Sequence, residues 1–218
     1  MARPVHLILF AKAPLPGQAK TRLIPALGPT GTARLARWLL CHSLQQAEAA
    51  HQAGFVQSLE LCCSPALADW PWAPELTLWQ HSRQVAGDLG ARMAAPCLKA
   101  LGHSAVLLMG TDCPALTPQR IGAAARALAE QDAVMIPATD GGYVLLGLNT
   151  WLPHVFTDMP WSTNQVAAIT QERLAAAGYS CQVLPELADV DEPADLAAVP
   201  QAAFGLSEPS LVCWERPE

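Results

Sequence analysis

The chain has 218 residues and a formal net charge of −6, with hydrophobic residues at 51% and charged residues at 15%. That length fits one domain, or one domain with an insertion, and the composition is too apolar and too weakly charged for a disordered chain. The acidic balance excludes a general nucleic-acid binder, which carries a basic face, and no stretch approaches the ~20 apolar residues that span a bilayer.

Residues 5–10 (VHLILF) form a short, nearly continuous apolar run, the pattern of a strand covered on both faces. Arg3 before it and Ala11-Lys12-Ala13 after it imitate a secretory signal. The apolar run is at the short limit for one, however, and a lysine occupies the cleavage motif. A first strand and a cytoplasmic location are the expectation.

The loop 11–29 carries four prolines and two glycines. It also holds Lys12 and Lys20, two of only three lysines in the chain, together with Arg22. Gly17 allows close backbone approach, the lysines act as point charges and the arginine as a bidentate fork. Converging N–H groups and cations suit phosphate oxygens. The spacing is neither GxxxxGK[ST] nor GxGxxG, and a solvent-facing basic loop is the plain alternative.

A helix is expected from Thr30 or Thr32, as cap, to about Ala53, with Gly54 as its stop. Residues 55–63 read as a second strand, 64–75 as an irregular Pro/Trp-rich excursion and 76–79 as a weak third strand. Trp70, Trp72 and Trp79 suit a satellite core, a dimer surface or an acceptor wall. Residues 88–101 read as a helix with a kink or break at Pro96. Asp88 caps it by default or, alternatively, contacts a nucleotide.

Residues 105–109 (AVLLM) are the clearest buried strand, leading into Gly110-Thr-Asp-Cys-Pro114. A carboxylate at a strand's carboxyl end suits Mg2+, which takes one or two carboxylates and completes its shell with phosphate and water. Capping by Asp112 is the alternative. A helix over 117–131 and strands over 133–137 and 143–148 follow. Between these strands stands Asp140-Gly141, a strong hairpin signal compatible with a pocket wall. Ser162 is expected to cap a helix ending near Ala177, followed by a late strand over 180–184. Asp189 and Asp191 come next, each either a second metal ligand or, for Asp191, the cap of a last helix over 192–199. The tail to residue 218 reads as extended or partly disordered, leaving residues 1–200 as a single domain.

The seven cysteines are odd in number, scattered and without CxxC, so reduced, mostly buried thiols are expected. Serine-hydrolase and zinc-protease motifs are missing, and Cys113 has no evident base beside it. Strands alternating with helices predict a mixed, mostly parallel sheet with helices on both faces, with ligands beyond the strands' carboxyl ends.

The stretches FAKAPLPGQAKTRL, GDLGARM, LLMGTDCPAL, PATDGGYVLLGL, PWST and DVDEPADL occur in order over residues 5–200. Together they resemble the bacterial family of glycosyltransferase-like, radical-SAM/selenodomain-associated (arsenosugar-biosynthesis-type) transferases. That family is similar in turn to the molybdenum-cofactor and phospholactate guanylyltransferases. The resemblance implies a Rossmann-like GT-A (nucleotide-diphospho-sugar transferase) fold and a nucleotidyl- or glycosyltransferase using a nucleotide donor and a small acceptor. It implies Lys12, Gly17, Lys20 and Arg22 at the donor phosphates, Asp88 and Arg92 near the nucleotide, and Asp112 and Asp191 on Mg2+ or Mn2+. Asp140, Gly141, Gly142 and Tyr143 would line the acceptor side, with Lys20, Arg22, Asp112 and Asp140 carrying catalysis. Two features depart from relatives: the first loop lacks Gly-Gly-x-Gly-x-Arg, and Asp112 stands in Thr-Asp-Cys rather than Asp-x-Asp. No nucleic-acid or membrane partner is expected, and a homodimer is open. A non-catalytic nucleotide-sensing or partner-binding module on the same fold is the rival reading.

Overall fold

The computed structural model describes residues 3–70, 76–200 and 203. Seven strands make one sheet: β1 (Val5–Lys12), β2 (Ser58–Ser64), β3 (Trp79–Arg83), β4 (Ala105–Met109), β5 (Ala133–Pro137), β6 (Tyr143–Leu148) and β7 (Cys181–Val183). Their order is β3-β2-β1-β4-β6-β5-β7. Every pairing is parallel except those of β6, which runs antiparallel to both β4 and β5. Four α-helices, α1 (Ile24–Gln52), α2 (Leu89–Leu101), α3 (Pro118–Ala127) and α4 (Val166–Ala176), cover it.

The period-2 alternation of the strands divides the core between the two faces. Leu7, Leu9, Leu107 and Val134 pack with α1 and α3. Ile8, Val106, Leu108 and Met135 pack with α2 and α4. The inner strands are therefore apolar on both faces, which is why they read as continuous runs. A third, smaller cluster joins Leu23, Leu35 and Leu39 to Val190 and Val199, tying α1 to the chain's last described segment.

Several element boundaries differ from those expected. The chain turns helical earlier than Thr30: a 3-10 turn over Thr21–Leu23 leads into α1 at Ile24. Gly28, with φ 68°, interrupts α1, and the Thr32 hydroxyl donates to the Pro29 carbonyl instead of capping. The third strand is Trp79–Arg83 rather than 76–79, because residues 79–83 pair with residues 59–63 of β2. The expected break at Pro96 does not occur. The proline is buried within a continuous α2, where core packing overrides its poor propensity.

The strand following Gly54 begins only at Ser58, and α3 and α4 are shorter than read. Ser162 does not cap α4; it holds φ 64°, and the helix starts at Val166. The last helix is a 3-10 turn over Pro193–Ala198. The hairpin at Asp140-Gly141 forms as expected between β5 and β6.

Trp70 and Trp79 belong to the main core, not a satellite; Trp79 Nε1 donates to Glu48 Oε1 at 2.7 Å. Trp72 and, apart from Ala203, the tail 201–218 lie outside the described residues. Cys62, Cys63, Cys97 and Cys113 are buried free thiols and Cys181 is a half-buried one. Cys41 departs from the expected reduced state and is disulfide-bonded. No helix among the described residues is long and apolar enough to cross a membrane.

A buried polar relay crosses β1, β2 and β3. His6 Nε2 lies 3.0 Å from Glu60 Oε2, His6 Nδ1 lies 2.7 Å from Ser58 Oγ, and Ser82 Oγ donates to Glu60 Oε1. Burial raises the Glu60 carboxyl, but the hydrogen bonds from His6 and Ser82, with the imidazole's charge, bring it below its ordinary 4.5. A depressed carboxylate contributes stability that is present above its unfolded value and lost as pH falls through its folded one. Glu60→Gln should therefore flatten the acid limb of stability. Urea midpoints measured across the acid range should fall more steeply for the wild type than for the variant.

Candidate active site

The order of strands reverses beside β1: β2 and β3 lie to one side of it, and β4 and its successors to the other. A sheet of this kind opens a crevice at the carboxyl ends of its strands at that point. A cavity of about 690 Å3 occupies the crevice. The ends of β1 and β4 reach it directly. The antiparallel β6 brings its first residue, Tyr143, to the same end of the sheet.

After β1 the chain makes a tight turn, with Leu15 N donating to Ala13 O at 2.8 Å and Gly17 at φ 74°. Lys20 then adopts the left-handed region at φ 51°, ψ 45°, which is rare for a residue with a side chain. The conformation turns its ammonium inward, where the side chain is only 6% exposed. Nζ donates to the Val190 carbonyl at 2.5 Å and lies 2.8 Å from Asp112 Oδ1 and 3.7 Å from Asp191 Oδ1. Arg22 NH1 donates to Asp191 Oδ2 at 2.7 Å from a more exposed position.

Asp112 is held from its main chain, since Val190 N donates to Asp112 O at 2.8 Å. Its carboxylate therefore stays half exposed and faces the cavity. Asp191 is not the cap of the last turn. Glu192 is the cap, and in its capping box Asp195 accepts from the Asp191 and Glu192 amides at 3.0 and 2.7 Å. This leaves the Asp191 carboxylate to the two cations.

Asp189 is the carboxylate whose chemistry is most altered. Burial, then the neighbouring Asp140 and Asp112 charges, push it up to about 6, against a smaller opposing pull from Lys20. Asp112, Asp140, Asp189 and Asp191 all line the cavity. Among the described residues no group of three or more His, Cys, Asp or Glu is arranged to hold a metal ion. Mg2+ needs no such cage, because one or two carboxylates suffice when a phosphate supplies the remaining oxygens. Asp112 and Asp191, which share the Lys20 ammonium, could supply two such carboxylates.

On the β5–β6 hairpin, Gly142 N donates to Asp140 Oδ1 at 2.8 Å, orienting that carboxylate. Gly141 sits at φ 90°, and its carbonyl accepts from Ala167 N at 2.9 Å, anchoring the turn on α4. Tyr143 lines the cavity, but its hydroxyl is buried without a hydrogen-bond partner among the described residues, and burial raises its pKa. It offers no accessible hydroxyl to solvent.

The opposite wall carries Arg92, whose guanidinium lies 5.6 Å from the Phe10 ring centroid. Gln84 positions it: the Gln84 carboxamide oxygen accepts from Arg92 Nε at 3.1 Å, while its Nε2 donates to Ala11 O and Cys62 O at 2.8 and 3.1 Å. Asp88 instead caps α2, accepting from Ala91 N at 2.7 Å.

Of the expected site residues, Lys12, Lys20, Arg22, Arg92, Asp112, Asp140, Gly142, Tyr143 and Asp191 therefore line one cavity, whereas Gly17, Asp88 and Gly141 shape its frame without lining it. Sequence reading missed Gln84. It follows β3 directly, but that strand was expected to end at residue 79, four residues before its observed end, so nothing marked position 84 as a strand end. Cys113 is buried and its thiol pushed up to about 11, chiefly by burial, which makes it a poor nucleophile.

A family model described as "Uncharacterized protein conserved in bacteria (DUF2064)" matches residues 44–163, more than half of the chain. The chain belongs to this family. A solved structure from Desulfovibrio desulfuricans G20, provisionally classed as a nucleotide-diphospho-sugar transferase, is 32% identical to this DUF2064 member. It aligns with a TM-score of 0.77 over 88% of this chain and 84% of that one.

More distant solved structures share the fold alone. A CMP:2-keto-3-deoxy-manno-octonic acid synthetase complexed with CTP is 11% identical, with a TM-score of 0.54 over 89% of this chain and 96% of that one. A 4-diphosphocytidyl-2C-methyl-D-erythritol synthase from Anaerococcus prevotii DSM 20548 is 9% identical, with a TM-score of 0.54 over 90% and 96%. No curated protein matches the chain. The architecture of this DUF2064 member is thus the nucleotidyltransferase and GT-A type expected, a mixed, mostly parallel sheet between helices.

Proposed function

We propose that this DUF2064 member is a divalent-metal-dependent transferase that takes a nucleotide donor and a small acceptor. The observation that carries the reading is the ion-pair cluster of Lys20 and Arg22 with Asp112 and Asp191, set in the crevice of a nucleotidyltransferase-like sheet. Asp112 and Asp191 would hold Mg2+, or Mn2+ in its place, and the ion would neutralise donor phosphate charge as a Lewis acid. Lys12 and Arg22 attract the polyanionic donor, and Arg22 presents the bidentate fork that a phosphate accepts. Gln84 holds Arg92 toward the nucleotide side. The Asp140 hairpin orients the acceptor, whose oxygen attacks the donor.

Charge that grows on the departing phosphate is stabilised by the fixed cations of the loop, so no covalent intermediate is needed. A density of cations favours a nucleoside triphosphate with pyrophosphate release. Membership of the radical-SAM/selenodomain-associated branch, which the sequence motifs support, favours a sugar nucleotide with nucleoside diphosphate release. The reading treats residues 1–200 as one catalytic domain working in the cytoplasm.

A thermal-shift panel of nucleoside triphosphates and sugar nucleotides, with and without Mg2+, tests it. A donor present well above its Kd should raise the melting temperature through linkage, and do so only with the metal. Assays of pyrophosphate against nucleoside diphosphate release then separate the two donor classes. Nucleotide binding that persists unchanged in EDTA, with no turnover, would instead support a sensing module.

A further inference from the structure

A phosphate-binding lysine is useful when its N–H groups face the ligand. Those of Lys20 do not face open solvent. The side chain is 6% exposed, and Nζ is engaged by the Val190 carbonyl at 2.5 Å and by Asp112 Oδ1 at 2.8 Å, with Asp191 Oδ1 at 3.7 Å. An ammonium has three donors and no acceptor, so these contacts occupy most of what Lys20 has to give. The left-handed backbone at φ 51° holds the side chain in this posture, and such a conformation persists only where its surroundings require it. Arg22, by contrast, is 57% exposed and bonds only one oxygen of Asp191. Two cations of one loop therefore stand in different states: one is engaged deep among the carboxylates and the other is presented at the mouth.

We infer that Lys20 is a built-in counter-cation that competes with a divalent ion for Asp112 and Asp191. The ammonium and the ion draw on the same carboxylate oxygens, and two cations confined there repel each other. A divalent ion alone must overcome that repulsion. A polyphosphate arriving with the ion gives the released ammonium a new anionic partner, so ion and donor enter together with positive coupling. The device makes the acidic cluster a poor general metal trap and reserves the ion for the donor-bound protein. Arg22, already at the mouth, makes first contact with the incoming phosphate, and Lys20 follows. The inference rests on the transferase reading for the identity of the donor, but the competition itself concerns only this chain's residues and the ion.

The test is Mn2+ binding followed by electron paramagnetic resonance of the free ion, on the full chain and without nucleotide. Lys20→Met is expected to bind Mn2+ more tightly than wild type by roughly tenfold or more, because a neighbouring positive charge has gone. Lys20→Gln should behave alike and serves if the methionine variant does not fold, with circular dichroism melts as the control. The wild type should gain Mn2+ affinity when inorganic tripolyphosphate is added, and both variants should lose most of that gain. Unchanged or weaker Mn2+ binding in the variants overturns the inference, since a lysine that merely scaffolds or binds phosphate would not oppose the metal. If the variants do bind Mn2+ more tightly while no nucleotide binds the wild type, the competition stands and the donor reading falls.

Discussion

Asp112→Asn should lower turnover by ~10²-fold or more, the usual effect of removing one electrostatic group from a preorganised site. The substitution keeps the shape of the side chain and leaves the main-chain bond from Val190 N to Asp112 O at 2.8 Å intact. What it removes is the charge that faces Lys20 at 2.8 Å and contributes to the acidic cavity. Melting temperature should therefore move little compared with rate. The measurement is steady-state turnover with the donor that the thermal-shift panel identifies, alongside a circular dichroism melt. Undiminished turnover in Asp112→Asn would remove the carboxylate from the mechanism, and the proposed metal role with it.

Gly141→Ala is expected to damage the site's frame severely. Gly141 holds φ 90°, and a Cβ there would lie 2.1 Å from the Asn164 carbonyl oxygen and 2.5 Å from its carbonyl carbon. Main-chain atoms cannot rotate away, so either the hairpin or the segment before α4 must move. Strain at the special φ adds to overpacking, and together they should cost about 2–4 kcal/mol.

Gly178→Ala separates these two causes. Gly178 also has a positive φ, 78°, but nothing within 4 Å of its added Cβ, so only the backbone strain applies there, about 1–2 kcal/mol. Urea denaturation of both variants reads the difference. Equal losses would show that the Asn164 contact yields freely. Because the Asp140 carboxylate rides on this turn through the Gly142 amide, Gly141→Ala should also weaken acceptor binding, visible as a raised KM.

The resemblance and the local signals located much of the site, and the reasons differ by residue. Asp140-Gly141 was legible because a tight antiparallel hairpin has its own chemistry of turn residues, which the turn between β5 and β6 uses. Asp112 was legible because five buried apolar residues run straight into it, so it had to stand at a strand's carboxyl end. Asp88 carried two readings, and the cap prevailed, since an extended residue at the start of α2 can accept from Ala91 N at no cost in register. Asp191 carried two readings, cap or metal ligand, and the cap fell, because the last turn is capped one residue later, at Glu192, with Asp195 accepting from the Asp191 and Glu192 amides. The early start of α1 was hidden by Pro25, Gly28 and Pro29, which look like loop punctuation but stand in the first turns, with one local break at Gly28.

Read alone, the amino-acid order settled which segments alternate as strand and helix, which strands lie under two helical layers, and where the scarce lysines gather. Those properties are local, for the spacing of apolar residues reports a buried face without reference to the rest of the chain. The tertiary structure alone decided that Lys20 meets the Val190 carbonyl 170 positions away and that Arg22 meets Asp191 across 169. It alone decided that Gln84 orients Arg92 from the end of a strand paired at the edge of the sheet. Such meetings depend on the order of strands, in which β4 inserts beside β1 and an antiparallel β6 starts from the same rim. The physical reason is that a side chain's partner is set by sheet register and crossover, which the pattern of any one segment does not encode.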